Sequence, residues 1–162
     1  MISFFKNNNY LYFIRPKAIF FLMALILLGL YIYVGNTSFG FPDEYWTIRN
    51  IEKFSDDWLG LYNFLLDYYD DSTRGDVHPP LSYFIVFILY KIFKSWQVIR
   101  VIISITLIFS IINFSNYLRR VYGQWSGVAC LFFLGFDPSV LMWGISIRWY
   151  SFYLIFLLWF LI

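Results

Sequence analysis

The chain has 162 residues, 60% hydrophobic, 25% aromatic and only 14% charged, with a formal net charge of +2. Soluble domains of this size sit near half apolar and about a quarter charged, so this composition excludes a small soluble core that hides its own hydrophobes and points to an integral membrane protein. The distribution of charge says more than its sum. Nine of the ten acids lie between Asp43 and Asp76, whereas Lys6, Arg15 and Lys17 precede the first long apolar run with no acid among them.

Residues 18–34 are uncharged and, but for Gly29, apolar. At 1.5 Å per residue they nearly span a hydrocarbon core of about 30 Å, and Gly35 adds a little. No small-residue cleavage site follows, so the run reads as a retained first transmembrane helix rather than a signal peptide. Short flanks rich in Lys and Arg stay in the cytoplasm, which puts the N-terminus inside and the acidic stretch outside. That stretch, 36–95, reads as an outer loop with amphipathic juxtamembrane helices. Asp43 can cap a short helix running through Trp46, Ile48 and Ile51. Ser55 can cap a second, on which Trp58, Leu61, Tyr62, Leu65 and Tyr69 make one stripe; several acids elsewhere on it suit a helix lying on a membrane or on protein.

Pro79 and Pro80 open a third loop helix over 81–94, Pro being tolerated in a first turn. Fourteen residues span only about 21 Å, and Lys91 and Lys94 occupy the far end. It reads as dipping into the outer leaflet, with a spanning segment as the alternative. Residues 97–118 form the second crossing, carrying Ser104, Thr106, Ser110, Asn113 and Ser115, whose side chains can bond to the backbone or to neighbouring helices. Arg119 and Arg120 end it on the cytoplasmic side if 81–94 does not cross, giving five basic and no acidic residues inside. Residues 121–139 rise as a third crossing, extended around Asp137-Pro138, and 149–162 begin a fourth with no polar end, as expected of the N-terminal part of something longer. The reading is an all-α polytopic membrane protein: one membrane domain, about four transmembrane helices and the juxtamembrane helices of the first outer loop.

Chemistry is sought where the acids meet the membrane. Asp43 and Glu44 are adjacent just past the first helix, and Asp76 and the only histidine, His78, precede the double proline. The bland readings are a helix cap for Asp43, a solvated first-turn acid for Glu44 and exposed loop residues for the others. Arg148, between Ile147 and Trp149, is harder to dismiss, because a guanidinium near hydrocarbon wants an anion or an interfacial position; Arg100 poses the same question. Carboxylates, an imidazole and two arginines at one membrane face can hold an anionic lipid head group while a carboxylate accepts a proton from an acceptor hydroxyl. Cys130 stands alone in an apolar run and reads as a small filler, with no internal disulfide possible. No Gly-rich phosphate loop, Cys/His metal spacing or nucleophile elbow is present, and no basic patch suits nucleic acid.

Phe41-Pro42-Asp43-Glu44 after the first helix, Asp76-Val77-His78-Pro79-Pro80-Leu81, Arg100 heading the next helix and Arg148-Trp149-Tyr150 after the third together resemble the N-terminal half of the GT-C glycosyltransferases. The closest subgroup is the protein mannosyltransferase and aminoarabinose transferase type, which use polyprenyl-phosphate-linked sugars. The resemblance implies that Asp43 is the base that deprotonates the acceptor, with Glu44 beside it. It implies that His78, Arg148 and Arg100 lie near the donor phosphate, and that Asp76 and Tyr150 line the substrate pocket. Members often have Gln-Glu ahead of the arginine, where this chain has Ile145-Ser146-Ile147. The acids with which the oligosaccharyltransferase branch holds a divalent metal are missing, so neither metal nor cofactor is expected.

The expected function is transfer of a sugar from a polyprenyl-phosphate donor to a glycan, lipid or protein acceptor on the outer face of the membrane, the plasma (inner) membrane in a bacterium. The alternative is a non-catalytic lipid-binding or assembly subunit. A third class, a transporter, predicts broken helices and midplane charges, of which Asp137-Pro138 is the one hint.

Overall fold

The computed structural model describes residues 16–37, 42–54, 56–57, 59–62 and 80–162, with the backbone alone at 42, 43 and 80. Every regular element among them is helical. In chain order these are α1 (Pro16–Thr37), α2 (Pro42–Lys53), a helical turn at 59–62, α3 (Pro80–Phe93), α4 (Trp96–Tyr122), α5 (Gln124–Gly135), α6 (Pro138–Gly144) and α7 (Trp149–Phe160). Two of them, α1 and α4, are long and apolar enough to cross a membrane, and the α5–α6 pair makes a third if it is counted as one span. Two to three crossings thus stand where the sequence suggested about four. The twelve residues of α7 extend only about 18 Å.

On α1 one stripe, Phe20, Leu27, Tyr31 and Gly35, faces the protein, while Phe21, Leu22, Leu25 and Ile26 on the other side are exposed. A helix apolar all round but buried on one side is the pattern of a lipid-facing span. The bundle is built around α4, which packs against α1, α5, α7 and α3. Between helices in lipid the driving force is close packing rather than release of water, and glycines provide it, Gly127 of α5 against Ser115 and Arg119 of α4 among them. Gly35 lies against Ser104, Gly135 against Leu27 and Gly144 against Leu107, each so closely that a Cβ would overlap its neighbour.

Two buried clusters share α4. Leu107, Ile108 and Ile111 join Leu27 and Tyr31 of α1, Leu131 of α5 and Ile155 of α7, with Ile145. Ile99 and Ile103 join Ile51 of α2, Val86 and Phe87 of α3 and Phe152 of α7, with Ile147. Some of the small polar residues of α4 bond as the sequence suggested. Thr106 Oγ1 donates to the Ile102 carbonyl, Ser110 Oγ to the Thr106 carbonyl, and Trp159 Nε1 of α7 donates to Ser110 Oγ at 3.0 Å.

The third crossing differs from the single helix expected over 121–139. Gly123, at φ 102, turns the chain from α4 into α5 in a conformation that favours glycine. Then α5 ends at Gly135, and α6 leaves it at 60°. Asp137 makes the new start, its Oδ1 accepting from the Ser139 and Val140 N–H groups at 2.7 and 3.0 Å, with Pro138 in the first turn.

Of the loop helices, α2 lies at one end of the bundle, whereas α3 runs along the N-terminal half of α4 and against α7. Asp57 Oδ1 accepts from the Gly60 N–H at 2.8 Å at the start of the turn at 59–62; Ser55, the cap expected from the sequence, and Trp58, Leu65 and Tyr69 of the expected stripe lie outside the described residues. In that turn Leu61 is buried as expected, but Tyr62 is exposed. Lys94, at φ 50, and Ser95 reverse the chain between α3 and α4. Trp96 there stacks on Tyr90 at 4.3 Å and donates from Nε1 to Glu52 Oε1 of α2 at 2.7 Å. The α3–α4 turn therefore sits at the same end of the bundle as α2 and the C-terminal end of α1, and Arg119 lies at the other end, over Phe20.

Candidate functional site

The first turn of α2 accepts Pro42 and two acids, Asp43 and Glu44, because its N–H groups are unbonded and its dipole favours negative charge. The helix begins at Pro42, so Asp43 stands inside the first turn rather than before it. From there Glu44, Thr47 and Ile51, at i, i+3 and i+7, form the buried stripe, whereas Tyr45, Trp46, Arg49, Glu52 and Lys53 are exposed. A carboxylate and a hydroxyl thus face inward where an amphipathic helix ordinarily presents apolar groups.

Burying a carboxylate is costly unless it is paired and hydrogen-bonded, and Glu44, 1% exposed, is both. Its Oε2 accepts from Arg100 Nη2 at 2.6 Å, and its Oε1 accepts from the Ile147 backbone N–H at 2.6 Å. These are charge-assisted contacts of the strong kind, and they join segments 56 and 103 positions apart in the chain. Glu44 is therefore not a solvated first-turn acid. It clasps α2 to α4 and to the segment ahead of α7.

That segment is itself stitched in place. Ser146 Oγ donates to the Trp143 carbonyl at 2.7 Å, and Ser151 Oγ donates to the Ser146 carbonyl. The chain turns here, Ile145 being in the right-handed helical region as the residue that ends α6, and Ile145 and Ile147 are buried in different clusters. Arg148 follows as the N-cap residue of α7, with extended backbone angles. Its side chain is buried to 7% exposure and turns toward α2, where Nη1 donates to Thr47 Oγ1 at 3.4 Å, the weak end of the hydrogen-bond range.

Of the residues singled out in the sequence, the structure brings Glu44, Arg100 and Arg148 into one buried cluster. Asp43 is placed by its backbone, immediately before Glu44 in the first turn of α2. Asp76 and His78 lie outside the described residues. Tyr150 is half-buried and set apart: its ring packs edge-on to Trp143 at 5.6 Å and lines an apolar cavity of about 350 Å³ with Val140, Gly144 and Leu154, which neither Arg100 nor Arg148 lines. Two contributors escaped the sequence reading. Thr47 carries a legible signal, one helical turn from Glu44 on the same face. The Ile147 N–H carries none, because a backbone donor has no residue type.

Arginine presents a planar fork of donors of the kind that matches a phosphate; in this cluster Arg100 is engaged with Glu44, which leaves Arg148 as the guanidinium on which an oxyanion role would rest. Among the described residues, no three His, Cys, Asp or Glu side chains gather as a metal-binding group. Comparison with protein-family models, curated proteins and solved structures finds no match to this chain.

Proposed function

We propose that this chain contributes the donor-binding face of a GT-C-type glycosyltransferase that takes its sugar from a polyprenyl phosphate. One observation carries the reading: Glu44, Arg100 and Arg148, three of the residues on which the family resemblance rests, meet in one buried cluster at the α2 end of the bundle. In this reading that end faces outward, the N-terminus is cytoplasmic, and α7 belongs to a fourth crossing. The acceptor hydroxyl gives its proton to the Asp43 carboxylate as its oxygen bonds to the anomeric carbon. The bond from that carbon to the phosphate oxygen breaks, and the polyprenyl phosphate leaves with one more negative charge, which Arg148 and His78 offset. Glu44 and Arg100 serve as the frame that sets the position of Arg148.

The test uses membranes carrying the protein, supplied with polyprenyl-phosphate mannose or polyprenyl-phosphate aminoarabinose labelled in the sugar, and follows loss of label from the lipid fraction. Asp43→Asn is expected to cut turnover by about 10²–10⁴-fold while the protein still inserts. Turnover near that of the unaltered protein in this variant sinks the assignment. A second reading, a non-catalytic lipid-binding or assembly subunit, is favoured by the full engagement of both Glu44 oxygens, which describes a structural brace. It requires donor binding without turnover, unaffected by Asp43→Asn. The 60° break at Asp137 is what a transporter reading would use.

A further inference from the structure

The end of the bundle remote from Glu44 has a charge pattern of its own. Since α1 and α4 run antiparallel, the last turn of α4, with Arg119 and Arg120, lies beside the first turn of α1, with Lys17. The Arg119 guanidinium stands 5.1 Å from the centre of the Phe20 ring, and Phe20 is three residues from Lys17 on the same face. Residues 16–37 and 80–136 contain no Asp or Glu. Among the described residues none of these three cations forms an ion pair.

Arg119 is held ready. Its Nη2 donates to Asn116 Oδ1 at 2.6 Å, and Gly127 of α5 packs so closely that a Cβ there would come within 2.6 Å of the Arg119 Cβ. Lys17 and Arg120 are exposed beside it. Tyr122 and Trp125, 73% and 62% exposed, flank the arginines, and such rings with one polar tip settle at a membrane–water boundary. From this patch the exposed apolar side chains Phe21, Leu22 and Leu25 continue along α1. A ligand that fits carries a negative head and an apolar tail.

We infer that this end of the bundle binds the phosphate of an anionic phospholipid, with Lys17, Arg119 and Arg120 around the phosphodiester and the acyl chains along α1. The guanidinium fork matches phosphate oxygens, and a basic residue at an anionic surface strengthens binding by about fivefold. The inference needs the bundle to sit in a bilayer and is independent of sugar transfer.

The protein is reconstituted in nanodiscs of equal parts phosphatidylglycerol and phosphatidylcholine, extracted in mild detergent, and its retained lipids are weighed by native mass spectrometry. The unaltered protein is expected to retain phosphatidylglycerol preferentially. Lys17→Gln with Arg120→Gln should weaken that preference by about fivefold or more with thermal stability unchanged, because both side chains are exposed and Arg119 stays. Lys91→Gln with Lys94→Gln, at the opposite end, should leave it intact. Equal retention of the two lipids by the unaltered protein, a preference that survives in the first double variant, or equal loss in the second overturns the inference.

Discussion

Glu44 and Arg100 form a buried ion pair, carboxylate Oε2 to guanidinium Nη2 at 2.6 Å, with side chains 1% and 9% exposed. The pair joins the first turn of α2 to the first turns of α4, and the second carboxylate oxygen extends the clasp to the Ile147 N–H. Removing one partner strands the other. Glu44→Ala should therefore destabilise the protein by about 3–5 kcal/mol, read as a lower unfolding midpoint in detergent. Glu44→Ala with Arg100→Ala should lose markedly less than the two single losses added together. Additive losses would show that the pair contributes no coupling.

Arg148 tests the donor-phosphate assignment separately from the clasp. Arg148→Lys keeps the charge but loses the planar fork, so it should weaken binding of the labelled polyprenyl-phosphate sugar by tenfold or more, on the order of 1.4 kcal/mol. Thr47→Val removes the hydroxyl that Arg148 reaches at 3.4 Å and should cost about 1 kcal/mol of stability. Unchanged donor binding in Arg148→Lys argues against the phosphate role.

Close packing of α4 on α5 rests on Gly127. A Cβ there would meet the Ser115 carbonyl oxygen at 2.7 Å, a backbone atom that cannot swing aside. Gly127→Ala should therefore cost about 1–3 kcal/mol as the helices move apart. Gly29 has nothing within 4 Å of such a Cβ, so Gly29→Ala should be neutral or stabilising by up to about 1 kcal/mol through helix propensity. Thermal melts of the two variants side by side decide whether packing or propensity governs.

Asp137 separates a cap from a coupling carboxylate. Asp137→Ala should cost about 1 kcal/mol through loss of the α6 cap, and Asp137→Asn should retain most of that stability. If a vesicle carrying the protein shows cation- or proton-driven uptake that Asp137→Asn abolishes without unfolding, the transporter reading gains over the enzyme.

Reporters fused after Lys94 and after Arg120 read the topology. The α3–α4 turn lies beside α2, and Arg119 lies at the opposite end over Phe20, so the two reporters should map to opposite sides of the membrane, the first outward. Both on one side, or the second outward, contradicts the proposed orientation.

The sequence alone determined where apolar length suffices: α1 and α4 are legible because unbroken runs free of charge have few alternatives to helix. It also showed that acids gather past the first helix and singled out Arg100 and Arg148 as guanidiniums in need of an explanation. The break at Asp137 was visible only as an Asp-Pro pair, because a proline tolerated in a first turn can either kink a helix or begin one. What tertiary structure alone decided is who meets whom. Glu44 looked like a solvated acid because which face a short amphipathic helix buries depends on what it lies against. Only the fold, bringing residues 44, 100 and 147 together across long stretches of chain, turned that acid inward and gave it a guanidinium and a backbone N–H in place of water.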